Sequence, residues 1–369
     1  MTPKKIGIIG LGLIGGSLAK TIHRIHPNIE ILALDQNEDA LRAALAEGVI
    51  TSATGKITPA FAECRYIFLC APVQKNETFL EELAPYLSES CILTDTGSVK
   101  EPIHQAVKQL GIAPFFIGGH PMAGSEMSGY ENATAYLLEN AYYLITHYSS
   151  GTASIKQELI PEYRQFIASL DCIPLILTPK EHDGMTAIVS HLPHVIAACL
   201  SNFVKGIDTD DEILKTVAAG GFRDMTRIAS SSPAMWQEIC LSNKDTLFTI
   251  TNVFIRGMQG FLDEIVHENA DEVYEFFRKA KDYRDSLPTK KQGSLPCVHE
   301  LYCDLIDEAG GIATIATILA ANHISIKNIG ILHNREFEEG ALRIEFYDED
   351  ALCQSTLLLR KYHYRVYDR

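Results

Sequence analysis

Lys5-Ile6-Gly7-Ile8-Ile9-Gly10-Leu11-Gly12-Leu13-Ile14-Gly15-Gly16, continued to Ile31-Leu32-Ala33-Leu34-Asp35, decides the fold of this 369-residue chain. A short apolar run without helical period reads as a buried strand. It enters Gly10-x-Gly12-x-x-Gly15, a helix follows from about Gly15 to Ile25, and a second apolar run ends on an acid. In a dinucleotide-binding turn Gly10 allows the sharp bend, Gly12 lets a pyrophosphate approach the backbone, and Gly15 lets helix and strand pack closely. The free N–H groups at the helix start, around Leu13 and Ile14, present partial positive charge to phosphates. Asp35 can accept from both ribose hydroxyls and repels a 2′-phosphate. No Arg follows it (Gln36, Asn37), so the expected cofactor is NAD rather than NADP.

Outward from that unit, apolar runs at 5–10, 29–34, 66–70, 92–94, 115–118, 141–146 and 173–177 alternate with helical or loop segments. The alternation predicts an α/β, doubly wound, mostly parallel sheet covered on both faces over residues 1–178. From 179 to 285 the pattern is all-α, with helical period at 183–203, 210–219, 232–265 and 271–283. These segments carry more apolar positions than one small helical layer can bury, which predicts a homodimer interface. Residues 286–296 form a polar, Pro/Gly-bounded linker. Residues 297–369 read strand (299–306), helix (310–321), strand (323–332), strand (341–347), helix (348–361), strand (363–367), with a charged hairpin at Glu338-Glu339-Gly340. That β-α-β-β-α-β order is the small ferredoxin-like α+β pattern.

A net charge of −15 argues against nucleic acid or an anionic membrane as partner, so an anionic substrate must be captured by local cations. Nine scattered cysteines without a CxxC (Cys70, Cys91 and Cys199 lie in apolar runs) predict reduced thiols and a cytoplasmic setting. The chain enters a strand at once, which leaves no room for a signal peptide. No apolar stretch is expected to reach the roughly 18 residues of a membrane span.

Candidate chemistry collects after the strands. Gly118-Gly119-His120-Pro121-Met122-Ala123-Gly124 follows one of them, and its small residues are expected to keep space open around His120. A neutral imidazole there can accept a proton from a substrate hydroxyl as hydride leaves the same carbon, or be a turn histidine bonded to backbone. In Asp95-Thr96-Gly97-Ser98-Val99-Lys100, Ser98 can bond that hydroxyl or the nicotinamide, or cap the following helix; taken alone, capping is the better reading. Cys70-Ala71-Pro72-Val73 closes another strand, with the Ala71–Pro72 backbone bordering the cofactor. Ser190-His191-Leu192-Pro193-His194 puts two histidines on one helix face. No metal is expected, because no matching Cys, Asp or Glu cluster accompanies them. In Gly220-Gly221-Phe222-Arg223-Asp224-Met225-Thr226-Arg227, Arg227 can clamp a carboxylate bidentately, while Arg223 can pair with Asp224 or Glu126. Trp236, the lone tryptophan, suits a core or an interface.

Together, segments 10–17, 95–100, 118–126, 190–194 and 221–227, with Trp236, resemble the prephenate dehydrogenase family of tyrosine biosynthesis over about residues 5–285. The resemblance implies oxidoreductase chemistry: NAD-dependent oxidative decarboxylation of prephenate to 4-hydroxyphenylpyruvate. It implies His120 as acceptor from the 4-hydroxyl, Ser98 as its neighbour and Arg227 as carboxylate anchor. Ser190, His191, His194, Gly220, Asp224 and Trp236 would line the pocket, Trp236 reaching it from the partner subunit. The last segment is similar to an ACT domain, which implies feedback inhibition by tyrosine. It departs from the usual Asp-x-Pro-Gly loop, because Asp307-Glu308-Ala309-Gly310 lacks the proline. An arogenate dehydrogenase has the same fold and chemistry. A β-hydroxyacid dehydrogenase would carry a catalytic Lys where this chain has Ser190–His194, and a non-catalytic NAD or amino-acid sensor would not need His120, Ser98 and Arg227 together.

Overall fold

The computed structural model describes residues 3–124, 127–147, 155, 158–209, 211–287, 299–304, 310–332, 341–347 and 349–367. The chain divides into two compact units, Met1–Ala280 and Lys281–Arg369.

The first unit holds an eight-stranded sheet: β1 (Lys5–Ile9), β2 (Glu30–Leu34), β3 (Ser52–Thr54), β4 (Tyr66–Leu69), β5 (Ile92–Asp95), β6 (Phe116–Pro121), β7 (Tyr142–Thr146) and β8 (Ile173–Leu177). Their order is β3-β2-β1-β4-β5-β6-β7-β8, parallel except for the β6–β7 pair. Helices α1 (Leu13–Ile25), α2 (Glu38–Ala46), α3 (Val73–Leu83), α4 (Glu101–Gln109) and α5 (Leu159–Ala168) complete the doubly wound part. Alternate strand residues feed two cores. Ile6, Ile8, Ile31, Ala33 and Phe68 enter one, whereas Ile9, Leu32, Leu34, Ile67 and Leu69 enter the other. Both faces are therefore apolar, and the strands read as continuous hydrophobic runs. The strand order reverses between β1 and β4, and the crevice at such a switch point is where open α/β sheets bind ligands.

Helical segments follow: α6 (Pro179–Thr186), a π turn (Ala187–His191), α7 (Leu192–Ile207), α8 (Ile213–Val217), α9 (Gly220–Thr226), a 3₁₀ turn (Arg227–Ser230), α10 (Pro233–Ser242), α11 (Lys244–Val266) and α12 (Ala270–Ser286). Three expectations change here. The segment at 210–219 shrinks to the five residues of α8, with residue 210 outside the described set. The segment at 232–265 is two helices, because Asn243 leaves helical geometry (φ −114°, ψ 31°) and turns its amide inward. The run Pro179–Ile207 is 29 residues and apolar enough, by length and composition, to cross a membrane, contrary to the expectation that no stretch reaches that size. It opens with a capping box between Thr178 and Glu181 and packs one side against α9, α11 and the 3₁₀ turn, while Ile188, Val189, Phe203 and Ile207 stay exposed.

The second unit contains β9 (His299–Asp304), α13 (Gly311–Ala321), β10 (Ile326–Leu332), β11 (Ala341–Phe346), α14 (Glu349–Lys361) and β12 (Val366–Tyr367). The sheet is antiparallel with order β10-β11-β9-β12. Ile315, Leu319 and Leu359 from the helices share one core with Leu301, Leu342, Ile344 and Phe346 from the strands, so both helices cover one face. The last strand is shorter than expected, since His363 takes a positive φ of 67° just before it. The hairpin Glu338-Glu339-Gly340, residues 305–309 and linker residues 288–296 lie outside the described residues.

Candidate active site

The glycine turn fits a dinucleotide. Gly10 has φ +96°, and a Cβ there would sit 2.8 Å from the Ala71 amide nitrogen, so only glycine passes. A Cβ at Gly15 would lie 1.9 Å from the Gly10 carbonyl oxygen, whereas Gly12 faces open space. α1 starts at Leu13 without a side-chain cap, which leaves its first-turn N–H groups (Leu13, Ile14, Gly15) for a phosphate. Asp35 follows β2 directly, with Oδ2 accepting from the Leu11 amide at 2.5 Å and Oδ1 from the Asn37 amide at 2.7 Å, which locks the carboxylate beside the turn. Ala71 and Pro72 follow β4, directly behind Gly10.

β1, β4, β5 and β6 run parallel, so Gly10, Cys70, Asp95 and His120 collect at one sheet edge. From β1 to β6 is three strand spacings, roughly 14 Å, and a dinucleotide lying along that edge can span it. Burial pushes the Cys70 thiol up to about 12, which keeps it protonated and unreactive.

His120 is buried near the end of β6. The glycines before it do not open space, contrary to expectation. A Cβ at Gly118 would lie 2.3 Å from Thr146 Oγ1 and one at Gly119 2.5 Å from Tyr143 Oη, so both permit tight strand packing, and only Gly124 faces open space. The backbone of residue 119 is clamped by a buried ion pair. Asp95 Oδ1 accepts from the Gly119 amide at 3.2 Å, and Lys100 Nζ bonds both Asp95 and the Gly119 carbonyl, the latter at 2.8 Å. Burial pushes the Asp95 carboxyl up and the Lys100 ammonium down, and each partner restrains the other.

Among the described residues the His120 ring bonds a side chain, not backbone. Its Nδ1 lies 2.8 Å from Nε2 of His182, whose Nδ1 lies 2.8 Å from Asp183 Oδ1. Asp183 accepts from the Lys100 amide at 2.7 Å and the Glu101 amide at 2.8 Å, so it caps α4 from 83 residues away. That corrects the capping role expected of Ser98, which sits half-buried in the loop between β5 and α4. Burial, with the His182, Lys100 and His191 charges, holds His120 well below its ordinary pKa; burial first, then Lys100 and His191, pushes His182 down to about 2. Both rings are neutral around pH 7.

A second cluster forms on the helices. Pro193 has no N–H to continue the helical ladder, and the π turn Ala187–His191 absorbs the break, with the Leu192 amide reaching back to the Ala187 carbonyl. Ser190 and His191 sit on that turn. The His194 ring stacks on Trp236 at 3.9 Å between centroids, His191 meets the same indole edge-on at 6.0 Å, and His194 Nδ1–H donates to the Ser190 carbonyl at 2.9 Å. Trp236 thus lies on histidines of its own chain. Asn243 donates to the Asp183 carbonyl at 2.9 Å and to His191 Nδ1 at 3.4 Å, which joins the two clusters. His191 Nε2 and Trp236 Nε1 are buried nitrogens without a partner among the described residues, each costing about 1–3 kcal/mol until an acceptor is supplied. The 3₁₀ turn that starts with Arg227 packs on α7, the His194 helix. Arg227, Arg223, Asp224 and Gly220 are exposed, and Glu126 lies outside the described residues. No group of three metal-ligating side chains occurs among the described residues.

Composition and motifs point to His120 but miss His182, Asp183, Lys100 and Asn243. The available signal was an adjacent His-Asp pair in the short polar helix that follows the last sheet strand.

Two family models match. One, described as prephenate dehydrogenase, nucleotide-binding domain, covers residues 18–163; the other, prephenate dehydrogenase, dimerization domain, covers 178–279. The chain is 38% identical to a prephenate dehydrogenase of Bacillus subtilis over 93% of its own length and 92% of that protein's. It is 36% identical to one from Lactococcus lactis over 97% and 98% of the two lengths. Among solved structures it is similar to Aquifex aeolicus prephenate dehydrogenase in complex with hydroxyphenyl propionate and NAD+, with TM-score 0.72 and 28% identity over 78% of this chain and 99% of that one.

Proposed function

The chain belongs to the prephenate dehydrogenase family, and from that premise we propose that it oxidises prephenate with NAD, releasing CO2 and 4-hydroxyphenylpyruvate. NAD, when bound along the β1–β6 edge, supplies the hydride acceptor. Gly10, Gly12, Gly15 and the first turn of α1 hold its phosphates, Asp35 its ribose, and the Ala71–Pro72 backbone and Ser98 border it towards the nicotinamide.

The observation that carries the reading is a neutral, buried His120 at the strand edge that also carries the glycine turn. Loss of hydride and CO2 makes an aromatic ring, which drives the reaction, and the hydroxyl hydrogen remains in the phenol. His120 therefore needs to orient the 4-hydroxyl and accept its hydrogen bond, not to remove a proton permanently. Ser98 neighbours the same hydroxyl. Arg227 anchors a carboxylate, with His191, His194, Ser190, Gly220, Asp224 and Trp236 around the substrate; the orphan N–H groups of His191 and Trp236 suit a dianion. An Arg held tightly on the departing carboxylate would favour reactant over CO2, so Arg227 acts in binding.

The exposed apolar faces of α7 and α11, matched by the dimerization model, support a homodimer, and the eight described cysteines are all free, as in a reducing cytoplasm. The second unit we read as a tyrosine-binding regulatory module. It carries a cavity of about 830 Å³ lined by residues that include His323, Ser325 and Tyr347. Mixing purified enzyme with prephenate and NAD and following reduced cofactor tests the activity; no NADH with prephenate but turnover with arogenate would reassign the substrate. Tyrosine added to that assay tests the module: unchanged activity and melting temperature would remove it as effector.

A further inference from the structure

We propose that His182 and Asp183 are positioning residues that fix which nitrogen of His120 carries its proton, leaving Nε2 as a bare lone pair for the substrate hydroxyl. The inference rests on the function proposed above. Asp183 sets the order of protons along the relay. Its two oxygens accept the Lys100 and Glu101 amides at the start of α4, and main-chain amides only donate. Burial pushes the Asp183 carboxyl up, but the two amides, the helix N-terminus and the buried Lys100 oppose it and favour the ionised carboxylate. An ionised Asp183 must receive a proton from His182 Nδ1 at 2.8 Å. A neutral ring has one N–H, so His182 Nε2 is a lone pair. Two lone pairs cannot face each other at 2.8 Å, so the proton between the rings belongs to His120 Nδ1. His120 Nε2 is then unprotonated.

The groups facing His182 are His120, Asp183, Lys100, His104 and His191, with His104 Nε2 engaged by Thr146 Oγ1 and His191 held by Asn243. None of them offers His182 another acceptor for the Nδ1 proton. The opposite order needs a protonated Asp183 at a helix start, which gives up the charge–dipole attraction. During reaction the relay lets charge drawn onto Nε2 spread through Nδ1–H towards the Asp183 carboxylate. No net proton is released, because the hydroxyl hydrogen returns to the phenol.

The test compares His182→Gln, whose amide oxygen can replace Nε2 as acceptor, with His182→Leu, which has none. His182→Leu should lower kcat about 10–100-fold, and His182→Gln should stay within about threefold of wild type, with Kd for NAD from fluorescence titration unchanged in both. In a His120→Asn background the Leu substitution should add nothing, because His182 acts only through His120. Equal losses for Gln and Leu, or additive losses in the double variant, would overturn the proposal. Should His182→Leu fail to fold, His182→Met takes its place. The tautomer is also read without turnover, from ¹⁵N shifts of the His120 ring: Nδ1 protonated and Nε2 bare is expected, and the reverse would overturn the relay. Wild-type enzyme inert with prephenate but showing that ring pattern would instead sink the functional reading alone.

Discussion

The sheet and the helices of the first unit solve the burial of polar groups in opposite ways. Around the sheet edge the buried charges have protein partners, Asp95 with Lys100 and Asp183 with two amides and His182, and the neutral His182 ring pairs with His120. On the helices, Trp236 Nε1 and His191 Nε2 are buried without one, and large apolar side chains such as Phe248 and Val253 stay exposed. The contrast teaches that the half built around the His120 network is complete in its charge pairing, whereas the helical half keeps buried donors and exposed apolar faces for the ligand and second copy proposed above.

The largest effect expected is at the complete half. His120→Asn should lower kcat by about 10²–10⁴-fold with little change in KM, measured by steady-state NADH formation. A rise in KM with kcat preserved would move His120 into substrate binding and blur the contrast. Arg227→Ala should do the reverse, raising KM for prephenate roughly 10–100-fold while kcat changes less than about threefold. If kcat falls more than KM rises, the helical half contributes to the chemical step as well.

The relay carries a stability signature. His104, His120, His182 and His191 all have folded-state pKa values pushed below 6.5, by burial first, with His104 at about 3 and His191 at about 4. Below pH 6.5 the unfolded chain binds protons that the folded chain does not. Stability should therefore be full above that pH and fall as pH drops towards 4, by about 1.4 kcal/mol per pH unit for each histidine. Urea unfolding at pH 7.5, 6 and 5 checks this; a midpoint independent of pH would mean these rings take up protons in the fold as they do in the unfolded chain. The smallest effect, on the unfinished half, is assembly. Phe248, 72% exposed on α11, replaced by Asp should halve the mass seen by light scattering from a dimer of the 40.8 kDa chain. An unchanged mass would place the interface elsewhere.

The β1-α1-β2 unit and the C-terminal β-α-β-β-α-β unit were legible because their signals are local: apolar runs, glycine turns and short connections. Strand β3 was not, since Ser52–Thr54 is short and polar and forms by pairing with β2. The site was half legible. His120 shows itself by its position after a strand, but the partner of its ring lies 62 residues away, and the cap of α4 is a carboxylate from another helix. Tertiary pairings of this kind leave no periodic trace. The break at Asn243 is hidden for the same reason, because its amide is turned inward by contacts with Asp183 and His191.

The dependence of kcat on pH with saturating prephenate and NAD tests most directly whether a neutral imidazole draws on the substrate alcohol. Activity should hold as pH falls through neutrality and decline only below 6.5, because burial keeps His120 unprotonated to lower pH than a free histidine. Activity that rises as pH falls, or that is already lost above 6.5, would mean the working form is protonated and would contradict the account.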